Sequence, residues 1–110
     1  MRMDFFAGKR VLVMGLGRFG GGADAAEFAC KAGSKVTVTD LGSEDQLGDS
    51  LLRLEKFKGI EYHLGGHFER DFEDNDIIIV NPAVGDANRY VQLARENGRY
   101  VTSAMNIFFQ

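Results

Sequence analysis

The chain has 110 residues, of which 45% are hydrophobic and 26% are charged, and this composition indicates a single globular domain and excludes a disordered segment. Its formal net charge is −3 and Lys and Arg do not cluster, so we expect no nucleic acid partner. The one cysteine excludes an internal disulfide and a multi-cysteine zinc site, and this cysteine usage is typical of the reducing cytoplasm. Neither a signal peptide nor a membrane span is expected.

The first predicted elements are a strand, a glycine-rich turn and a helix. Residues 1–10 are expected to form a short lead-in with a turn at Gly8. The apolar run Val11–Met14 predicts the first strand, which enters the glycine-dense segment Gly15–Gly22 and then an Ala-rich helix over Ala23–Ala32. Alternating β-branched residues predict the second strand over Lys35–Asp40.

The second helix is predicted from a capping box that is followed by an apolar face. Ser43 lies three residues before Gln46, and leucines then follow at helical spacing until a stop at Gly59. A short third strand is predicted over Ile60–Leu64. The Gly-Gly-His segment that follows, residues 65–67, is expected to form a turn.

A buried strand and a final helix–strand pair complete the predicted elements. The acidic segment Phe68–Asn75 is expected to be irregular, and the nearly all-apolar run Asp76–Val80 predicts a strand that is covered on both faces. The remaining predicted elements are a helix over Arg89–Asn97 with Asp86 or Asn88 as its N-cap, a strand over Tyr100–Ser103 and a hydrophobic end over Asn106–Phe109.

The predicted order, βαβαββαβ, belongs to the α/β class. Its crossovers are long enough for parallel pairing, so we expect a Rossmann-like three-layer sandwich with an open, mostly parallel five-stranded sheet in the order 3-2-1-4-5. Ligands of such sheets bind at the carboxyl ends of the strands, where the strand order reverses. Three loops are expected to meet there, namely Gly15–Gly22, Asp40–Ser43 and Asn81–Asn88.

The glycine-dense turn fits the G-x-G-x-x-G spacing through Gly15, Gly17 and Gly20. Gly15 would allow the turn, Gly17 would let a phosphate approach the backbone, and Gly20 would let the helix pack closely on the strand. A helix that begins at such a turn presents unpaired N–H groups, which suit an anion. The pattern favours a phosphate-bearing ligand, and the alternative is a glycine turn that serves packing only.

Four side chains near this turn are candidate ligand contacts. Asp40 could accept hydrogen bonds from ribose hydroxyls or a base N–H, or it could cap its own turn. Arg18 could pair with a phosphate, and Phe19 could pack over a ligand or into the sheet. Asn81 could donate to a phosphate or close an Asx turn.

Catalytic and metal-binding motifs are not evident in the sequence. His63 and His67 flank two glycines and have no acid or cysteine at metal-ligand spacing, so no metal site is expected. The only Gly-Lys pair, Gly8-Lys9, does not form a P-loop. The residues therefore predict a ligand-binding half-site without catalytic residues.

Several segments, in their order and spacing, resemble the N-terminal domain of the Mur ligases, and most of all the D-glutamate-adding branch of that family. These segments are Gly15–Gly17, Val36–Asp40, Leu64–His67, Asp76–Ala83 and Val101–Phe109. The resemblance covers nearly the whole chain. It departs from the family at Asn81-Pro82-Ala83, where Ser-Pro-Gly is usual, and in a glycine turn lengthened by Gly21 and Gly22.

The resemblance implies a parent enzyme of cytoplasmic peptidoglycan synthesis that adds D-glutamate to UDP-N-acetylmuramoyl-L-alanine. ATP phosphorylates the substrate carboxylate, and the amine attacks the acyl phosphate. The N-terminal domain holds the UDP part, a central domain carries the P-loop and the Mg²⁺ ligands, and a C-terminal domain binds the amino acid. Residues 1–110 would then be a single UDP-binding domain, monomeric, without the central ATP-binding and C-terminal domains, without a cofactor of its own, and unable to catalyse alone.

The resemblance also assigns site residues. The UDP contacts would be Gly15, Gly17, Arg18, Phe19 and Gly20 for the diphosphate, Asp40 and Leu41 for the uracil, and Asn81, Pro82 and Ala83 on the opposite side of the site. Two alternatives remain open. One is an NAD(P)-binding Rossmann module of an oxidoreductase or regulator, with Asp40 on the adenosine ribose, and the other is a scaffold domain that binds no ligand. The Gly-Gly-His turn and the Asn-Ile-Phe-Phe end favour the Mur ligase family.

Overall fold

A computed structural model describes residues 3–17, 21–85 and 87–108, which contain five strands and six helices. The strands are β1 (Arg10–Met14), β2 (Lys35–Asp40), β3 (Glu61–Leu64), β4 (Ile77–Val80) and β5 (Tyr100–Ser103). The helices are α1 (Met3–Phe6), α2 (Gly21–Lys31), α3 (Gly48–Leu54), α4 (Glu69–Asp74), α5 (Arg89–Glu96) and α6 (Ala104–Phe108).

The five strands form one open sheet in the order β3-β2-β1-β4-β5, which confirms the predicted topology. Every neighbouring pair is parallel, and the register sets Val13 beside both Val38 and Ile79. β1 pairs with β2 on one side and with β4 on the other, so the strand order reverses at β1. The carboxyl ends of β1, β2 and β4 therefore lie side by side at one edge of the sheet.

Helices cover both faces of the sheet and give the predicted three layers. On one face, Val11 and Val13 pack with buried residues of α1, α2, α3 and α6. On the other face, Leu12 and Met14 pack with buried residues of α4 and α5. Because both faces are covered, the interior strand β4 is apolar at every position.

Three short helices lie in segments where the sequence predicts no helix, and the irregular structure predicted over Phe68–Asn75 is wrong. Each helix has only four to six residues, which is too short for a periodic apolar pattern. Each instead anchors one apolar side chain in a core, namely Phe6 in α1, Phe72 in α4 and Ile107 in α6. Burial of these side chains stabilises helices that would not form in isolation.

The helix α3 is shorter than predicted. The capping box does form, because the Ser43 N–H donates to Gln46 Oε1 at 2.9 Å and the Gln46 N–H donates to Ser43 Oγ at 3.4 Å. It organises a turn, however, and the helix begins only at Gly48 and ends at Leu54 rather than at Gly59. Beyond Leu54 the amide donors bond to carbonyls three residues back, which tightens the chain out of α-helical geometry.

The two longest helices lie where the sequence predicts them. α2 begins at Gly21, so the two glycines that lengthen the turn belong to its first turn. α5 begins after Asn88, whose Oδ1 accepts hydrogen bonds from two backbone N–H groups and confirms this residue as the N-cap. The other candidate cap, Asp86, lies outside the described residues. No helix within the described residues is long and apolar enough to cross a bilayer.

Candidate functional site

A cleft of about 560 Å³ opens at the carboxyl ends of β1, β2 and β4, where the strand order reverses. Its volume lies in the range that small-molecule sites occupy. The described residues that line it are Met14, Gly15, Gly17, Gly21, Asp40, Leu41, His67, Asn81, Pro82, Ala83 and Val84. The cleft therefore lies where the topology predicts a ligand site.

The glycine turn forms one wall of the cleft. Gly15 and Gly17 have φ angles of 89° and 72°, a left-handed conformation that favours glycine at both positions. The Gly15 N–H donates to Thr39 O at 2.8 Å, which holds the start of the turn on β2. A Cβ added to Gly17 would lie 2.7 Å from Asn81 Nδ2, so the turn closely approaches the opposite wall.

Close packing between the turn and α2 is achieved at Gly22. A Cβ there would lie 2.1 Å from Gly15 O and 2.5 Å from Leu16 Cα, closer than any real contact. The Gly22 N–H also donates to Leu16 O at 3.1 Å. The sequence motif assigns this packing to Gly20, which lies outside the described residues, and gives no role to Gly22. The sequence predicts Gly22 to lie in the turn before the helix Ala23–Ala32, so it gave no signal of this contact within α2.

Asp40 joins two loops of the site. Its Oδ2 accepts a hydrogen bond from the Leu16 N–H at 2.8 Å, and its Oδ1 accepts one from the Gly42 N–H at 2.8 Å. The structure thus confirms the turn-capping alternative. A carboxylate has about four acceptor positions, so the two backbone bonds leave capacity for a ligand, and ligand contact stays a prediction.

Asn81 begins the wall that faces the glycine turn. Its Oδ1 accepts a hydrogen bond from the Ala83 N–H at 3.0 Å, which confirms the predicted Asx turn. Its Nδ2 points toward Gly17. Asn81 therefore fixes the loop with its oxygen and presents its two amide donors toward the site, so donation to a phosphate is compatible with the Asx turn.

His67 is a cleft residue that the sequence did not predict, because the two glycines before it indicate only a turn. Gly65 has a φ angle of 82°, and its N–H donates to Gly42 O at 3.0 Å. The turn is thereby folded onto the loop after β2, and it places His67 Nδ1 2.7 Å from Thr39 Oγ1. The sequence held one indication of this position. The Gly-Gly pair before His67 predicts a turn at the carboxyl end of β3, the strand next to β2.

The imidazole of His67 is half-buried and held by two aromatic rings. The ring centroids of Phe72 and Tyr90 lie 6.0 Å and 5.3 Å from it, both in edge-on geometry. Burial lowers the pKa of His67 and outweighs the opposing charges of Asp40 and Asp71. His67 is therefore uncharged at neutral pH.

His63 lies outside the cleft and has a structural role. Its Nδ1 lies 2.6 Å from Asp71 Oδ2 and its Nε2 lies 3.0 Å from Glu61 Oε2. The hydrogen bond to Asp71 raises the pKa of His63 and ties β3 to α4. Among residues 3–17, 21–85 and 87–108, no group of three or more His, Cys, Asp or Glu side chains is placed to hold a metal ion.

A second cleft, of about 550 Å³, adjoins the first and shares Gly17 and Asp40 with it. Its other described lining residues are Gln46, Leu47, Asp49 and Ser50. Asp49 adds a second carboxylate there, which suits N–H and O–H donors and disfavours a phosphate.

In the first cleft, Gly21 brings the N-terminus of the 11-residue helix α2 to the wall, and this end favours an anion. The pair of clefts thus suits an elongated ligand with an anionic part and an uncharged polar part.

The structure brings together all the predicted site residues that it describes. Seven of the ten line the first cleft, namely Gly15, Gly17, Asp40, Leu41, Asn81, Pro82 and Ala83. The other three, Arg18, Phe19 and Gly20, lie outside the described residues. Contact of any of the ten with a ligand stays a prediction.

Comparison with known proteins identifies relatives along nearly the whole chain. The family model described as the N-terminal domain of MurD-like Mur ligases matches residues 9–103. The UDP-N-acetylmuramoylalanine–D-glutamate ligase of Roseiflexus sp. (strain RS-1) is 46% identical over 104 residues, and that of Treponema pallidum (strain Nichols) is 41% identical over 104 residues. Each match covers 94% of this chain but only 22% and 20% of the relative, so the chain spans about a fifth of their length.

Solved structures show the same architecture. A pseudomurein peptide ligase type C from Methanothermus fervidus aligns with a TM-score of 0.69 and 26% identity, over 90% of this chain and 20% of that one. The CMeT domain of the citrinin polyketide synthase aligns with a TM-score of 0.56 and 19% identity, over 84% of this chain and 25% of that one. The second likeness shows a shared fold alone.

Proposed function

This chain belongs to the family of MurD-like Mur ligase N-terminal domains, and from that membership we propose that it is the substrate-holding domain of a D-glutamate-adding ligase. The cleft would hold the UDP part of UDP-N-acetylmuramoyl-L-alanine. The parent enzyme would be the ATP-dependent ligase of peptidoglycan synthesis that its relatives are named for, working in the cytoplasm, and the domain would be a monomer. The NAD(P)-binding alternative is not favoured, because the curated relatives are ligases.

The observation that carries this proposal is the convergence of three loops on one cleft. Gly17 in the glycine turn and Gly21 at the N-terminus of α2 line the first cleft, and their backbone N–H groups would donate to the diphosphate, whereas those of Gly15, Leu16 and Gly22 are bonded within the protein. Asp40 lies where the two clefts meet, and Asp49 lies beyond it, so the uracil and ribose would lie on that side as donors to carboxylate oxygens. The Asn81 wall would cover the diphosphate and sugar from the opposite side.

The ligase reaction needs groups that the described residues do not supply. Mur ligases depend on ATP and Mg²⁺, yet this sequence has no P-loop motif, and the described part of the chain has no cluster of metal-ligating side chains. We therefore assign ATP, Mg²⁺ and the D-glutamate site to other parts of the parent enzyme. The contribution of this domain is to bind the nucleotide and to orient the rest of the substrate.

The test is an NMR titration of the 110-residue chain with UDP and, separately, with NADH. We expect UDP to shift the amides of residues 15–17, 40–42 and 81–85, with weak affinity because one domain supplies only part of the contacts. NADH at equal concentration should shift them less. With ATP, Mg²⁺, D-glutamate and UDP-N-acetylmuramoyl-L-alanine, the chain should release no phosphate. Tighter binding of NADH than of UDP would overturn the proposal.

A pair of glycine variants separates effects on the site from effects on the backbone. Gly17 and Gly59 both have positive φ angles, of 72° and 91°, but only the Gly17 Cβ position is crowded, by Asn81. Gly17→Ala and Gly59→Ala should each lose stability of about 1 kcal/mol or more from backbone strain. Only Gly17→Ala should weaken UDP binding, as measured by calorimetry. Equal UDP affinity in both variants would mean that the glycine turn serves packing only.

A further inference from the structure

His67 lies in the wall of the cleft, in a position that the rest of the fold determines. The left-handed Gly65 turns the chain back over the loop that follows β2, where its N–H is bonded to Gly42 O. Thr39 then holds the imidazole through Nδ1, and two aromatic edges fix the plane of the ring. The position of the imidazole at the cleft is therefore fixed before any ligand binds.

We propose that His67 is a ligand-contacting residue of the cleft and that its Nε2–H donates a hydrogen bond to an oxygen acceptor of the nucleotide substrate. This proposal rests on the proposed function, because it takes the ligand of the cleft to be a UDP-linked molecule. Thr39 is the positioning residue that sets which nitrogen of His67 carries the proton.

We assign the tautomer from the contacts of Thr39. Thr39 Oγ1 lies 2.7 Å from His67 Nδ1 and 3.4 Å from Gly66 O, and we take its hydroxyl to donate across the shorter contact. Thr39 is fully buried, and its hydroxyl needs a partner within the protein. With the hydroxyl donating to Nδ1, the single proton of the uncharged ring resides on Nε2.

The remaining nitrogen, Nε2, belongs to a residue that lines the cleft. Among the described residues, no hydrogen-bond partner of His67 Nε2 is present, whereas both nitrogens of His63 face carboxylates. The charged and titratable groups near the His67 ring are Asp40 on β2, Asp71 on α4 and Tyr90 on α5. Burial keeps the ring uncharged despite the two acids, because it lowers the pKa of His67. His67 can therefore offer one directed donor without adding a charge to the cleft.

The first experiment measures UDP and UDP-N-acetylmuramoyl-L-alanine binding to His67 variants by calorimetry. His67→Phe keeps an aromatic ring but removes the donor, and we expect about 3- to 10-fold weaker binding, which corresponds to one lost hydrogen bond. His67→Gln retains an N–H donor and should lose about twofold or less. His63→Gln is the matched control outside the cleft and should bind as the parent does.

The second experiment tests the role of Thr39. Thr39→Val removes the hydroxyl at nearly constant volume and should weaken binding as much as His67→Phe does. Thr39→Ser should restore it, and the double variant Thr39→Val/His67→Phe should be no weaker than either single variant, because both act on one hydrogen bond. Nitrogen-15 NMR of the parent should show His67 protonated at Nε2, and the Nε2 signal should shift when UDP is added.

Two outcomes would overturn the proposal. One is a folded His67→Phe chain that binds both nucleotides as tightly as the parent, and the other is a His67 Nε2 signal that does not change with UDP. The NMR readout needs no variant, so it decides the matter even if His67→Phe fails to fold. If the parent itself binds no UDP, the proposed function fails, which is a distinct result from intact binding in the variant.

Discussion

Single residues hold three of the four loops of the site against one another. Asp40 bonds to a backbone N–H of the glycine turn and to one of its own loop, and Asn81 bonds to its own loop while it faces Gly17. These side chains therefore contribute to stability before any ligand is present. A substitution at Asp40 is expected to change the shape of the empty site as well as its affinity.

Asp40→Ala should lower the free energy of unfolding by about 1–3 kcal/mol, because the Leu16 and Gly42 N–H groups lose their acceptor. Urea denaturation measures this loss. Glu44→Ala, at an exposed position in the same connection, is the control and should change stability by about 0.5 kcal/mol or less. A variant as stable as the parent would show that Asp40 does not hold the glycine turn.

Gly22→Ala should destabilise the chain by about 3 kcal/mol or more, since the new methyl group would meet the backbone of Gly15 and Leu16. The neighbouring glycine of the same helix provides the control. A Cβ at Gly21 has no atom within 4 Å, so Gly21→Ala should be neutral or more stable by up to about 1 kcal/mol. Thermal unfolding measures the stability of both variants relative to the parent. Equal unfolding temperatures in the two variants would contradict the close contact at Gly22.

At the scale of elements, short helices complete the two cores. α1 and α6 pack on one face of the sheet through Phe6 and Ile107, and α4 packs on the other through Phe72. The edge strand β3 is tied to α4 by the hydrogen bond between His63 and Asp71. The stability of these elements therefore depends on a few side chains.

Ile107→Ala should cost about 2–5 kcal/mol, because Ile107 is only 6% exposed and its removal leaves a cavity under α6. Met105 lies on the same helix and is 60% exposed, so Met105→Ala should stay within about 0.5 kcal/mol of the parent. Chemical denaturation compares the two. Equal effects would mean that α6 does not pack against the sheet in solution.

The two histidines should give opposite pH dependences of stability. Because the pKa of His63 is raised in the folded state, its stabilisation is present below its unfolded pKa and is lost as pH rises through the folded value. Because the pKa of His67 is lowered, the folded state loses stability as pH falls from about 6.5 toward the folded value.

Urea denaturation between pH 5 and 8 tests this assignment. Relative to the parent, His63→Gln should lose the contribution that favours low pH, and His67→Gln should lose the one that favours high pH. The two difference curves should slope in opposite directions. Slopes of the same sign would contradict the opposite pKa shifts of the two histidines.

At the scale of the whole molecule, ligand binding in the cleft and folding of the chain are linked by mass action. The cleft is built from loops that follow β1, β2, β3 and β4, so a bound nucleotide would join most of the sheet. A ligand that binds only the folded chain stabilises it by about 2.7 kcal/mol at a concentration 100 times its Kd. For a domain of this size, the midpoint temperature should then rise by about 10 °C or more.

Differential scanning calorimetry with increasing UDP measures that rise, and NADH at the same concentrations is the comparison ligand. The parent chain should gain more from UDP than from NADH, and Gly17→Ala should gain less from UDP than Gly59→Ala does. An equal gain from both nucleotides would indicate a site that does not discriminate between them, contrary to the proposed substrate.

The sequence by itself determined the sheet, its strand order and the position of the cleft. Apolar runs such as Ile77–Val80 and alternating runs such as Lys35–Asp40 are local signals that predict five strands, and the Rossmann-like order of elements predicts how these strands are arranged in the sheet. The glycine turn after β1 is also local, since residues 15 and 17 need left-handed backbone. Once the order of strands is known, the edge that gathers their loops follows from geometry.

Only the tertiary structure decided which residues close that cleft and how. Gly22 is required because Gly15 O lies against it, and His67 enters the wall because Thr39, 28 residues earlier, holds its ring. The short helix α6 forms because Ile107 finds a core. The contacts of His67 and Ile107 join distant parts of the chain, and the contact at Gly22 is a close backbone approach across a turn. None of these contacts leaves a periodic signal in the sequence, because a single residue carries each of them.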